Sequence, residues 1–368
     1  MNKNRKNHGH AGSTPVLSSV GLAVLATLMA GGAQAADSSF SVGAGPTAVA
    51  TTGYQTVQSV QDKALPVTAA ASGQDIGVTV DGPQAGTTNT ATQNLVGASA
   101  TGNTFGNSID LSLTGGTALP AEGAASLGVA TNGGVISSSA NGNTVKVDLN
   151  GFSNGGASNT ANVISASTTL NNGASSIAGT VPNDYSSATP GLTNLNYSPV
   201  GSASNALGSI VVTSVQQGTG AGSSAVAGGN TVSLDLGSNS TNVVGSAPAL
   251  DNNTVSATLK GNAATSTASI QAGGAPAFSG SAVVTNLQVN EGAGAIHTAS
   301  NSGSAVSANI GSSGVGTANT LQGALSVQGN SIASAAAGNE SLGAAGVAGN
   351  RILLGDGMSF TGSGGPTS

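Results

Sequence analysis

The chain has 368 residues, 58 of them Gly, with 5% charged residues, 2% aromatic residues and a formal net charge of −6. Ordinary globular domains carry about 25% charged residues, and common disordered chains are rich in Pro, Glu and Lys. This chain fits neither class, and with no Cys it has no disulfide, thiolate nucleophile or cysteine metal cluster, although a large repeat protein can be exported without disulfides.

The N-terminus reads as a secretory signal over residues 1–35. Lys3, Arg5 and Lys6 supply a basic start, residues 16–30 are apolar, and Ala33-Gln34-Ala35 is an A-x-A cleavage signature with the cut before Ala36. The apolar stretch is short for a membrane span of about 20 residues, so no stable span is expected after cleavage. Lys63, Lys146, Lys260 and Arg351 then remain as the bases, against all 13 acids. Phosphate binding needs clustered Lys and Arg, so nucleic acid is not an expected partner.

Residues 36–90 form a lead-in with weaker strands such as Ile76-Gly-Val78-Thr-Val80. Residues 91–172 are a first Asn-repeat region and residues 226–355 a second. The repeat is an Asn followed by apolar or small residues at alternate positions. It is strong at Asn107, Asn143, Asn230 and Asn253, and weaker at Asn94, Asn162, Asn330 and Asn350. A second Asn follows nine residues later at Asn103, Asn171, Asn239, Asn262 and Asn339, preceded by Gly at Gly102, Gly261 and Gly338. Between the two regions, residues 173–225 hold Pro182, Pro190, Pro199, Tyr185 and Tyr197 and read as an irregular segment, because Pro cannot donate to a ladder. Residues 356–368 read as a flexible tail.

Period-two alternation marks strands with one buried face. Val145, Val147 and Leu149 are expected inward, with Lys146 and Asp148 outward; charges avoid the apolar phase in every strong copy. Gly-Asn pairs suit corners, since both residues tolerate positive φ. The leading Asn shares the buried phase and is expected to stack on its equivalents through side-chain hydrogen bonds. Several starts lie about 20 residues apart, a coil length for stacked β-structure. The expected fold is all-β, an elongated β-solenoid-like stack of short strands with Gly/Asn corners; the alternative is a β-sandwich or barrel of short strands.

Catalysis needs matched titratable groups held close together. After the signal there is one histidine, His297, and it reads as a residue in a polar turn. Asp148 and Asp235 occupy equivalent repeat positions and read as solvent-face residues that could align as a carboxylate pair. Gly355-Asp356-Gly357 lacks the glycines of a calcium nonapeptide, and Gly218–Gly229 lacks the Lys-Ser or Lys-Thr of a phosphate loop. No catalytic residue, metal ligand or cofactor is expected, and the chain does not read as an enzyme.

The copy Asn253-Thr-Val-Ser-Ala-Thr-Leu-Lys-Gly-Asn262 resembles the repeats of bacterial secreted β-strand-repeat proteins of the filamentous adhesin or matrix type. Val327-Gln-Gly-Asn330 and Val215-Gln-Gln-Gly218 are similar to repeats of curli-type fibre subunits, without their regular Gln spacing. The resemblance implies a secreted or cell-surface structural protein contributing to adhesion, fibres or a biofilm matrix. Its expected partners are further copies of itself and an outer-membrane export or anchoring component. The competing expectation is a surface module for carbohydrate or ice, prompted by Thr88-Asn-Thr-Ala-Thr92.

Overall fold

The computed structural model describes residues 38–360 apart from 41–47, 52–54, 111–123, 182–184, 187–190, 198–201, 209, 220–221, 237–242, 245–246, 273–276, 280–281, 292–295, 311–320, 323, 342–349 and 355–358. Every regular element among these residues is a β-strand. The signal segment 1–35, Pro182, Pro190, Pro199, Asn239 and Gly355-Asp356-Gly357 lie outside the described residues.

The chain climbs through four levels. The short strands β1 (Ser38–Phe40) and β2 (Ala48–Thr51) precede level one, which comprises β3 (Gln55–Lys63), β4 (Val67–Ser72), β5 (Asp75–Thr92) and β6 (Leu95–Asp110). Level two repeats the course as β7 (Ala124–Asn132), β8 (Ile136–Asn141), β9 (Thr144–Thr160) and β10 (Val163–Val181). It then makes an excursion through β11 (Tyr185–Ser186), β12 (Gly191–Tyr197) and β13 (Ser202–Gly208). Level three runs β14 (Ile210–Thr219), β15 (Ser223–Val226), β16 (Thr231–Leu236), β17 (Val243–Val244), β18 (Ala249–Asp251), β19 (Thr254–Ala272) and β20 (Ala277–Ser279). Level four runs β21 (Ala282–Glu291), β22 (His297–Ser300), β23 (Ala305–Ile310), β24 (Leu321–Gln322), β25 (Ser331–Ser341), β26 (Asn350–Leu354) and β27 (Ser359–Phe360).

Equivalent strands stack as parallel sheets. Sheet I is β3-β7-β14-β21, sheet II is β4-β8-β15-β22, sheet III is β5-β9-β16-β23, and sheet IV is β6-β10-β19 with β25 and β26. The all-β, solenoid-like fold is therefore present, but its coil is longer than the interval between Asn copies. Stacked asparagines are 68, 91 and 77 residues apart. The interval of about 20 residues separates features within one level, such as the corner at Asn143 and the corner at Asn162. With rungs about 4.8 Å apart, four levels rise about 14 Å from first strand to last.

The expected inward phase holds in sheet III. Val145, Val147 and Leu149 are fully buried, as are Val232, Leu234 and Leu236 one level above. Each such side chain gains roughly 1.5–3 kcal/mol by leaving water. They pack on Val96, Ile164, Val255 and Leu259 of sheet IV and on Ala140 and Ala225 of sheet II in one core.

Sheet IV explains the spacing of nine. Along a strand of period two, an odd spacing would put the second Asn on the opposite face. In β10, Ile164, Ala166, Thr168 and Leu170 are buried, and so are Asn171, Gly173, Ser175 and Ile177. Two successive inward residues, Leu170 and Asn171, reverse the phase, and the strand bends. Its first half faces the core beneath sheets II and III, and its second half faces sheet I through Ile109, Ile177, Ile210 and Val212. Gly102, Gly261 and Gly338 occupy this bend, not corners with positive φ. A Cβ on Gly102 would strike Asn132 and Leu170, and one on Gly261 would strike the Gly338 carbonyl. Glycine is there for close approach.

The corners lie elsewhere, in two columns. Before sheet III stand Gly73, Gly142, Gly229 and Gly303, all with φ between 63° and 67°. Before sheet IV stand Gln93, Ala161, Asn252 and Gly329, with φ of 55°, 57°, 56° and 66°. Every one of these left-handed residues directly precedes a ladder residue.

Domain boundaries follow levels, not Asn copies. Residues 55–90 belong to level one and are no lead-in. Of the stretch expected to be irregular, residues 173–181, 210–219 and 223–225 belong to regular strands of sheets IV, I and II, and the described residues of 182–209 form the short strands β11, β12 and β13. Within it, β13 pairs antiparallel with β12, β12 with β2, and β2 with β1. This small sheet packs over the outer face of sheet I, so that β7 and β14 are buried on both faces. Leu127, Val129 and Val215 form an apolar cluster there. Within the expected tail, β27 pairs with β20.

Candidate functional site: the asparagine ladders and their open ends

Three side-chain ladders run up the stack. In the first, Asn94 donates through its backbone N–H (3.0 Å) and Nδ2 (2.8 Å) to Oδ1 of Asn162. Asn162 donates likewise to Asn253 (3.1 and 2.8 Å), and Asn253 to Asn330 (3.0 and 3.0 Å). The remaining Nδ2 proton points down to the carbonyl three residues before the Asn below. Asn162 reaches Ala91 (3.2 Å), Asn253 reaches Asn159 (2.9 Å), and Asn330 reaches Leu250 (2.7 Å).

The second ladder uses the same geometry with two substitutions. Asn143 donates to Asn230 Oδ1 from N (2.9 Å) and Nδ2 (3.0 Å). Gln74 stands below and donates its backbone N–H to Asn143 Oδ1 at 3.0 Å. Above, the Asn230 backbone N–H donates to Ser304 Oγ at 3.3 Å. Pattern matching on Asn misses Gln74 and Ser304; a left-handed Gly in front of each, Gly73 and Gly303, is the signal that finds them.

The third ladder is formed by the second asparagines. Asn103 Nδ2 donates to Asn171 Oδ1 (2.9 Å), Asn171 to Asn262 (2.7 Å), and Asn262 to Asn339 (2.9 Å). Two expected repeat starts belong to no corner. Asn107 lies inside β6 and shares a column with Ser175, Ser266 and Asn350. Its Nδ2 donates across to the Leu127 carbonyl at 2.6 Å, tying sheet IV to sheet I.

No protein-family model, curated protein or solved structure matches this chain.

All three ladders share one polarity. In each, Nδ2 of the lower side chain donates to Oδ1 of the next asparagine up. The lower end thus presents the acceptor Oδ1 atoms of Asn94 and Asn103. The upper end presents the donor N–H of Asn330. Among the described residues, no strand pairs with the outer edges of β3, β4, β5 and β6, or with those of β21, β22, β23 and β25. Interior columns that are fully buried in levels two and three end at these edges in half-buried Ile76, Val78 and Val306, and in Ile332, which is 47% exposed.

The titratable groups are placed apart. Asp148 and Asp235 are register partners on the outer face of sheet III, and Asn309 Nδ2 donates to Asp235 Oδ1 at 3.3 Å. Below them, Lys146 and Asp75 form an exposed ion pair at 3.0 Å. His297 is not in a turn. It opens β22 on the inward side of sheet II, with Nδ1 2.5 Å from Ser223 Oγ. Burial lowers its pKa from the ordinary value by desolvating the charged ring. The two Asp side chains and His297 therefore face opposite sides of different sheets. Among the described residues, no three His, Asp or Glu side chains gather as metal ligands, and no helix is long and apolar enough to cross a membrane.

Thr88, Thr90 and Thr92 do project outward, and Thr92 meets Thr160 at 2.6 Å. The column then continues with Asp251, so the threonine array spans two levels. A longer polar array lies on the outer face of sheet IV, where Ser99, Ser167 and Thr258 stand in register.

Proposed function

We propose that this chain is an exported structural protein of the bacterial cell surface or extracellular matrix, contributing to adhesion, fibre or biofilm formation by associating with copies of itself. The observation that carries the reading is the pair of terminal levels whose outer edges pair with no strand among the described residues, and at which the first and third asparagine ladders stop in the middle of their pattern. An enzyme concentrates its polar groups around a substrate. Here the inward asparagines are engaged in level-to-level bonds, and the outward groups are spread thinly. The basic, apolar and A-x-A segments of the N-terminus support export, and an outer-membrane export or anchoring component is the accompanying partner.

Fractionation of cells expressing the full chain, with N-terminal sequencing of the exported product and negative-stain microscopy, tests this. The expected result is a new N-terminus at Ala36 and filaments or higher assemblies outside the cell. Retention in the cytoplasm, or monodisperse particles at every concentration, would refute it.

A second reading is favoured by the outer face of sheet IV, whose in-register hydroxyls at about 4.8 Å spacing suit a surface for carbohydrate or ice. A glycan array and an ice-recrystallisation assay that both stay silent would dismiss it.

A further inference from the structure

The geometry points to a single, polar mode of self-association: the upper end of one copy receives the lower end of the next, and all four sheets continue across the seam. This inference rests on the self-associating role proposed above and adds its direction and register.

The backbone supplies the first argument. In a parallel ladder, alternate residues of a strand bond to the neighbour on one side, and those between bond to the other. Ser331 N–H donates down to the Asn253 carbonyl, Thr254 down to Asn162, and Val163 down to Asn94, each at 2.8 Å. Ser331, Ala333, Ala335 and Ala337 therefore pair with β19, while Ile332, Ser334 and Ala336 turn their N–H and C=O upward. At the other end, Leu95, Gly97, Ser99 and Thr101 share the phase of Val163 and turn theirs downward. One edge continues the other without a shift.

The side chains supply the second argument. Asn330 at the top has the donors that lower-level asparagines use, and Asn94 at the bottom has the acceptor that upper-level ones use. Set one level apart, Asn330 N–H and Nδ2 donate to Asn94 Oδ1 of the next copy. That Asn94 in turn donates Nδ2 down to the Val327 carbonyl, three residues before Asn330, as Asn162 does to Ala91. The same placement puts Ile332 under Val96 and Val306 under Ile76, covering Ile332, which is 47% exposed, and the half-buried Val306 and Ile76. Joining two upper ends would instead set donors against donors. A second copy in the same orientation is the occupant that fits both ends.

Single-edge blockers test the direction. Ser334→Pro places a ring where an upward N–H stood, without removing a bond to β19, because edge strands accept Pro at outward positions. Ser99→Pro does the same at the lower edge, and Ile332→Lys is a second upper-end variant that keeps every backbone donor. Wild-type far-UV circular dichroism and urea midpoints for each variant establish that the copies still fold.

In sedimentation velocity, the full chain is expected to form concentration-dependent higher species. Each variant alone is expected to stay monomeric, and an equimolar mixture of Ser334→Pro and Ser99→Pro is expected to stop at a doubling of mass. Wild-type protein that assembles while Ser334→Pro and Ile332→Lys assemble equally well would overturn the end-to-end mode and leave self-association standing. A variant that dimerises alone would overturn the polarity. Wild-type protein that stays monomeric at all concentrations would overturn both this inference and the reading beneath it.

Discussion

Truncating one asparagine in the middle of a ladder should cost far more than truncating one at its end. Asn162→Ala removes Nδ2 donors from the Ala91 carbonyl at 3.2 Å and from Asn159 Oδ1, and removes the acceptor of both Asn94 donors. Asn253 Oδ1 keeps the backbone N–H of residue 162, so it is not orphaned. One buried acceptor, Asn159 Oδ1, remains with nothing to bond, at about 1–3 kcal/mol, while the Ala91 carbonyl keeps its place in the β5–β9 ladder and loses only its second donor; that lost bond and the part-buried Asn94 donors add about 1 kcal/mol each. The expected loss is about 3–5 kcal/mol. Asn94→Ala, by contrast, strips one Nδ2 bond at the exposed end and should cost about 1 kcal/mol. Equilibrium urea unfolding, with the slope unchanged between variants, reads the difference directly. If Asn162→Ala and Asn94→Ala shifted the midpoint equally, the ladders would be incidental contacts of an apolar stack, and the reasoning from them would fall.

Left-handed backbone at Ala161 predicts that Ala161→Gly raises stability by up to about 1 kcal/mol, while Gly229→Ala lowers it by about 1–2 kcal/mol in the same unfolding assay. Phe105 fills a slot bounded by Gly128 and Gly173, where any Cβ would collide with its ring. Gly173→Ala should therefore cost about 1–3 kcal/mol, and a double-mutant cycle with Phe105→Leu should recover part of it. The depressed pKa of His297 means that the unfolded chain takes up this proton first as pH falls. No penalty is present above the unfolded value of about 6.5. It develops as pH drops below that value and is complete below the folded pKa. Thermal midpoints at pH 7.5 and 5 should fall further for wild type than for His297→Gln; equal falls would refute the assignment.

The local texture of this fold was legible in the sequence, and its long-range geometry was not. Alternation placed Val145, Val147 and Leu149 inward and Lys146 and Asp148 outward, because one-faced burial leaves a period of two. It failed at Leu127-Gly-Val129-Ala-Thr131, where a covering sheet buries both faces and erases the pattern. The ladder asparagines were visible as residues, yet the partners of each lie 68–91 residues away across loops of unequal length. No fixed period survives that inequality. Asn107 matched the repeat by composition but sits in a column with Ser175 and Ser266, whose buried hydroxyls find no hydrogen-bond partner, so no side-chain ladder forms there. Ala161 and Gln93 gave no sign of their left-handed backbone, since the stack above and below imposes it.

The wide separation of stacked neighbours also governs how the chain reaches this state. Each parallel rung joins residues from different levels, so a nascent segment holding one level has nothing beside it to pair with. Folding with so few local contacts is slow compared with that of a helical bundle. For the export proposed above, delayed closure of the first rungs would keep the polypeptide extended while it is threaded through a secretion pore.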